Sequence, residues 1–288
     1  MIELDAAWQA ANPLPSPDQG GDKDGRGRVL VVGGSAEVPG AIRLTGEAAL
    51  RVGAGKIKLA TIAGAALPVG VAFPEAAVLA LPEQDGEIGD ATALADTAAS
   101  VDALVVGPGM GGKEAAARLV ETLGEVDAPE TVLLLDAAAV ACAGPLCDLL
   151  RRWAGRLVMT PHVGEMAALL DRDEEAIKAD LPGTAAEAAK RFGAVVVLKD
   201  QETHVASPEG AVLHYRGGGP GLGTGGSGDV LAGVIGGLLA RGAAALVAAG
   251  WGVWLHGEAG RALADASGPI GFLARELLPG LPRLLPAD

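Results

Sequence analysis

Gly217-Gly-Gly-Pro-Gly-Leu-Gly-Thr-Gly-Gly-Ser-Gly-Asp229 places eight glycines in the twelve positions before an aspartate. An apolar helical pattern follows at once, through Val230, Leu231, Val234, Ile235, Leu238 and Leu239. Glycine loses more backbone entropy on folding than any other residue, so a run this dense needs a physical reason. One such reason is close approach of main-chain N–H groups to an anion, with no Cβ in the way. A helix that begins where the run ends adds its own unpaired N–H groups and the positive end of its dipole. The stretch reads as a phosphate cradle at a coil-to-helix junction. It is not a Walker A loop, because no Gly-Lys-Ser/Thr follows the glycines. Asp229 would repel a phosphate unless it takes a proton from a group attacking that phosphate, work typically worth about 10²–10⁴ in rate. The structural alternative is an acidic residue that merely favours the dipole from the first helical turn.

Outward from this junction, short apolar runs alternate with helical patterns. The strands expected are Arg28–Val32, Lys56–Thr61, Ala77–Leu81, Ala103–Val106, Val132–Leu135, Leu157–Met159 and Val195–Leu198. Helical spacing predicts Ala41–Gly53, Ala91–Ser100, Lys113–Leu123, Gly164–Leu170 and Glu174–Arg191, then Asp229–Arg241, Ala243–Leu263 and Gly271–Leu285. His204–Ser207 and Ala211–Tyr215, separated by Pro208-Glu209-Gly210, read as an antiparallel hairpin. The alternation predicts an α/β fold, a mostly parallel sheet covered on both faces. Residues 12–27 mix proline and glycine with charge and read as a loop. No repeat or linker follows, so a single domain over 1–288 is expected.

Ligands of such sheets bind at the strand ends, and four ends carry unusual residues. They are Gly33-Gly34-Ser35 with Pro39-Gly40-Ala41, Gly107-Pro-Gly-Met-Gly111, Thr160-Pro-His-Val-Gly-Glu165, and Lys199-Asp-Gln-Glu-Thr203. Each has a plainer reading. Gly-Pro-Gly can be only a tight turn, His162 and Glu165 can cap a helix, and Lys199 can be a solvated strand end. Gathered along one edge, Lys199 and Thr203 would offer a charge and a hydroxyl to a nucleotide.

Composition narrows the classes. Of 288 residues, 50% are hydrophobic and 20% charged, enough for a large core, and with 3% aromatics that core must be aliphatic. A net charge of −14 argues against a nucleic-acid surface. An anionic ligand must then be met by local donors. Cys142 and Cys147 read as small, reduced core residues. The acidic N-terminus lacks the form of a signal peptide, and the longest uncharged apolar run, Gly242–Leu255, is short for a bilayer span. A soluble cytoplasmic protein, bound to no membrane, is expected.

The chain resembles the ADP-dependent NAD(P)H-hydrate dehydratases, a branch of the ribokinase-like superfamily that also occurs fused to an NAD(P)HX epimerase. The resemblance rests on Arg28-Val-Leu-Val-Val-Gly-Gly-Ser35, Ala48-Ala-Leu-Arg-Val-Gly-Ala-Gly55, Pro74-Glu75, Val106-Gly-Pro-Gly-Met-Gly111, Thr160-Pro-His-Val-Gly-Glu-Met166, Leu198-Lys199 with Thr203, and Gly225-Gly-Ser-Gly-Asp-Val-Leu231. It implies a three-layer α/β/α sandwich. It also implies repair of hydrated NADH or NADPH (NADHX, NADPHX): a nucleotide phosphorylates the added hydroxyl, and phosphate leaves as the ring double bond returns. By position, Asp229 would be the base, and the amides of Gly226, Ser227 and Gly228 would hold the transferring phosphoryl group. Ala41, Gly109, Gly111 and His162 would line the hydrate pocket. Lys199, Asp200, Gln201, Glu202, Thr203 and Gly228 would contact ADP, with ATP a substitute. The resemblance further implies Mg²⁺, its ligands unassigned, a homotetramer, and a separate epimerase acting upstream. The chain departs from the family pattern at Ala138, Val163, Asp200 and Gly219-Pro-Gly-Leu222. Two other functions fit the same residues: a vitamin-precursor kinase of the superfamily, and a nucleotide-binding protein that has lost turnover.

Overall fold

The computed structural model describes residues 1–16 and 25–286. Strands follow in chain order as β1 (Ile2–Glu3), β2 (Arg28–Val32), β3 (Lys56–Ile62), β4 (Ala77–Leu81), β5 (Glu83–Gln84), β6 (Glu87–Ile88), β7 (Ala103–Val106), β8 (Val132–Leu135), β9 (Leu157–Met159), β10 (Val195–Lys199), β11 (Thr203–Ala206) and β12 (Val212–Tyr215). Ten of them form one sheet in the order β1-β12-β11-β10-β9-β8-β7-β2-β3-β4, and β5 and β6 pair separately. Within the large sheet only β11 runs against its neighbours, β10 and β12.

The central strands are apolar at every position because both faces of the sheet are covered. Val29 and Val31 join one buried cluster while Leu30 and Val32 join another. The same alternation holds for Val195 and Val197 against Val196 and Leu198. The first cluster takes in the helices Ala41–Arg51, Ser227–Ala240 and Ala245–Ser267; the second takes in Lys113–Gly124, Val163–Leu170 and Leu181–Phe192. The result is the expected helix–sheet–helix sandwich.

Helices Ala41–Arg51 and Ser227–Ala240 pack unusually closely. A Cβ on Gly233 would lie 2.1 Å from the Thr45 carbonyl oxygen, and one on Gly237 would lie 2.6 Å from that of Ala49. Both contacts advance by four residues along both chains, so the helices run parallel and in register.

The structure differs from the sequence reading where propensity was ambiguous. Glu174–Arg191 is two helices, Glu174–Ala179 and Leu181–Phe192, broken at the extended residue Asp180. Pro182 fits only a first helical turn, and the Asp180 carboxylate caps it by accepting from the Gly183 amide at 2.9 Å. Gly271–Leu285 divides into short turns at Ala274–Leu277, Leu278–Gly280 and Leu281–Leu284, because Pro279 and Pro282 interrupt it. Ala91–Ser100 is a 3₁₀ turn, Thr92–Leu94, leading into Ala95–Ala99. Helix Ala63–Ala72 was hidden by Gly64, Pro68 and Gly70. At the N-terminus, β1 adds an edge strand, and helix Ala6–Ala11, capped by Asp5, buries Trp8 beside Trp251. Of the loop expected over 12–27, residues 12–16 and 25–27 form no helix or strand. Its remainder lies outside the described residues. Cys142 and Cys147 are free and half-buried, not core.

Candidate active site

The strand ends do gather along one edge of the sheet. The Gly34 amide donates to the Pro108 carbonyl at 2.7 Å, docking the turn after β2 on the turn after β7. Gly109 sits there at φ +72°, and a Cβ on it would lie 2.6 Å from the Val38 oxygen and 2.7 Å from the Ala41 Cβ. Only glycine meets both conditions. Gly111 donates its amide to Glu87 Oε1 at 3.0 Å, and Ala41 is buried at the start of its helix.

A charged group occupies the middle of the edge. Asp136, the first residue after β8, is 2% exposed. Its Oδ1 accepts from Thr160 Oγ1 at 2.6 Å and from Lys199 Nζ at 3.1 Å. Glu165 Oε2 lies 3.9 Å from the same ammonium. Three strands thus deliver an aspartate, a threonine and a lysine to one point. Ala137, next in the chain, holds φ 52° and ψ −130°, a strained combination for a residue with a Cβ.

His162 caps helix Val163–Leu170 in the way the plainer reading allowed: its Nδ1 accepts from the Gly164 and Glu165 amides, and Glu165 Oε2 accepts from the His162 amide at 2.8 Å. The ring nevertheless stays 59% exposed and lines the cavity described below. Capping and lining are compatible here.

At the glycine run, Gly226 caps helix Ser227–Ala240 in the left-handed conformation, φ +90°. The Ser227 amide donates to the Thr224 carbonyl at 3.2 Å. Among the described residues, the Gly226 and Gly228 amides have no protein acceptor. The cradle expected from three amides therefore has Gly226 and Gly228 open and Ser227 already engaged. A Cβ on Gly228 would lie 3.7 Å from Lys199 Nζ, so the ammonium faces the same space.

Burial among carboxylates changes the acidities. The Asp229 carboxyl is pushed up to about 7 by burial and by the nearby Asp136 charge, with Lys199 working in the opposite direction. Glu165 is also raised, again chiefly by burial. Burial works against the charge on Lys199, but Asp136 and Glu165 outweigh it and hold its pKa above the ordinary lysine value. Behind the run, Ser227 Oγ and His256 Nε2 lie 2.9 Å apart. Burial drives His256 down to about 4, so this imidazole is neutral.

A cavity of about 1010 Å³ opens on this edge, lined by His162, Lys199, Asp200, Gln201, Thr203, Ser227, Gly228 and His256 among others. Glu202 is turned away from it, 2.9 Å from His214 and 3.6 Å from Arg216. Ala41, Gly109 and Gly111 lie outside its lining, with Gly109 packed against Ala41. Thr160 belongs to a strand end singled out in the sequence, but Asp136 and His256 were given no role there. The signals available were a lone carboxylate closing an apolar strand and a lone histidine inside an apolar helix.

A profile of the NAD(P)H-hydrate dehydratases matches residues 29–283. This chain belongs to that family. An ADP-dependent (S)-NAD(P)H-hydrate dehydratase of Xanthomonas campestris pv. campestris is 50% identical over 283 residues, covering 97% of this chain and 94% of that protein. A bifunctional NAD(P)H-hydrate repair enzyme of Moorella thermoacetica is 39% identical, the match covering 98% of this chain but 53% of that longer protein. Among solved structures, the Bacillus subtilis ADP/ATP-dependent NAD(P)H-hydrate dehydratase co-crystallised with ATP/Mg²⁺ aligns at TM-score 0.76 and 27% identity, over 98% of this chain and 96% of that one. A ribokinase-like protein of Enterococcus faecalis aligns at TM-score 0.83 and 25% identity, over 99% and 95%. This NAD(P)H-hydrate dehydratase family member therefore has the ribokinase-like fold.

Proposed function

We propose that the protein is an ADP-dependent (S)-NAD(P)H-hydrate dehydratase that restores hydrated NADH and NADPH. The observation that carries the mechanism is the pairing of open main-chain amides at Gly226 and Gly228 with a buried Asp229 whose acidity lies near neutrality. A base poised close to working pH is the most effective kind. Asp229 takes the proton from the added ring hydroxyl, and the hydroxyl oxygen attacks the terminal phosphoryl of ADP, releasing AMP. The amides and Lys199 stabilise the charge on the transferring group. Phosphate then leaves with the C–O bond as the neighbouring carbon gives up a proton and the double bond reforms. The cavity beside Lys199, Asp200, Gln201 and Thr203 takes the nucleotide; the side with Ala41, Gly109 and Gly111 takes the hydrate.

Mg²⁺ fits the chemistry of the donor set. Asp136, Glu165 and Asp229 set three carboxylates against the single ammonium of Lys199, an excess of negative charge suited to a hard cation with oxygen ligands. Asp136 and Glu165 would hold it, and it would neutralise charge on the nucleotide phosphates.

The match to bifunctional NAD(P)H-hydrate repair enzymes supports an epimerase acting upstream that supplies the S epimer. Free cysteines suit a reducing, cytoplasmic setting. Among the described residues no helix is long and apolar enough to cross a membrane. Exposed Leu67 and Val71, on one face of helix Ala63–Ala72, support self-association into the tetramer, which light scattering would measure. The activity is tested by incubating the protein with hydrated NADH and ADP and following the absorbance of the reduced ring. Recovery with ADP is expected; no recovery with ADP or ATP would overturn the assignment.

A further inference from the structure

The β11–β12 hairpin and β1 carry a cluster of side chains that the reaction does not use. His204 and His214 stand opposite each other across the two strands, with ring centroids 4.8 Å apart and planes 22° apart. They are 5% and 1% exposed. His214 Nε2 lies 2.9 Å from Glu202 Oε2, and its Nδ1 lies 2.8 Å from Glu3 Oε1. One ligand atom from each of Glu202, His204 and His214 falls within 4.8 Å of the other two.

His204 differs from its neighbour. Its buried Nδ1 has no hydrogen-bond partner among the described residues, so that nitrogen has lost water and gained nothing in return. Two imidazoles and a carboxylate form the donor set favoured by borderline cations such as Zn²⁺, not by Mg²⁺ or Ca²⁺. Glu3 stands behind His214 as an outer carboxylate that fixes the ring, leaving the other nitrogen for a metal. Glu202, 48% exposed, gives access from solvent.

We propose that Glu202, His204 and His214 form a binding site for a divalent transition-metal cation of the Zn²⁺ class, with Glu3 orienting His214. The cation bonds in place of the contact between Glu202 and His214 and takes up the second imidazole. Because Glu202 sits between the cavity-lining residues Gln201 and Thr203, occupation ties the turn after β10 to the edge strand β1.

The test uses the full chain, stripped with a chelator and titrated with Zn²⁺ alone against a chromophoric competitor, then with Co²⁺ alone for its visible spectrum. One equivalent should bind, and Co²⁺ should give the intense bands of a site with fewer than six ligands. Glu202→Gln and His204→Gln should each weaken binding at least about tenfold, and Glu3→Gln by about 10–100-fold. Absence of stoichiometric binding by the wild-type chain, or unchanged affinity in the ligand variants, overturns the site. If His204→Gln does not fold, the half-exposed Glu202→Gln decides alone, since unchanged affinity there also overturns it.

Discussion

An aspartate in the first turn of a helix is ordinarily held ionised by the dipole. At Asp229, burial and the neighbouring Asp136 overcome that preference. Activity measured as kcat/KM should therefore rise with pH through about 7, where the carboxylate becomes the competent base. Asp229→Asn should lower turnover by about 10² or more while ADP binds as well or slightly tighter, since a charge near phosphate is removed. An Asn variant with near-normal turnover would take the proton-transfer role from this residue. Stability follows the same charge. The folded value of about 7 lies above the ordinary value of 3.8, so stability present at low pH is lost as pH climbs through that window. Without nucleotide, the Asn variant should gain on the wild type by on the order of a few kcal/mol between pH 4 and pH 8. Urea melts at the two values would show it, and parallel curves would contradict it.

At the scale of elements, the helix pair Ala41–Arg51 and Ser227–Ala240 carries both the proposed base Asp229 and the proposed hydrate-lining Ala41. Gly233→Ala would push a Cβ against the Thr45 carbonyl, 2.1 Å away. The expected result is a loss of about 1–3 kcal/mol from overpacking. Turnover should fall further than stability implies, because an ångström of misplacement can cost about 10²-fold. Steady-state kinetics on the folded fraction would separate the two effects; a variant that only melts earlier would show the spacing is not critical. The strands and these helices were legible in sequence because their periodicity is strong and both sheet faces are apolar. Elements that depend on one tertiary contact were not. Helix Ala6–Ala11 is short and gains its place from Trp8 packing on Trp251, whereas the break at Asp180, closed by its side-chain cap, was already marked in the sequence by Pro182.

For the whole molecule, the glycine run and the strand-end turns marked the segments that gather at the candidate site, since each breaks an otherwise regular pattern. The partners of those residues stayed hidden. That Asp136 meets both Thr160 and Lys199, or that the Ser227 amide is already bonded to Thr224, depends on long-range or local geometry that spacing does not encode. The net charge of −14 also acts at this scale. A negative surface repels ADP during approach, and salt screens that repulsion. The association rate of ADP should accordingly rise with ionic strength between about 10 and 150 mM. Stopped-flow mixing would measure it, and a falling rate would mean that Lys199 and the amides govern approach from a distance.

Ala137 holds a backbone shape that suits glycine, directly beside the buried Asp136. In a saturated codon library at this position, sorted by survival after heating, glycine clones should be enriched and valine, isoleucine and threonine clones depleted. A glycine clone that survives heat but turns over slowly would mark the alanine as a residue evolution keeps for rigidity at the reaction centre.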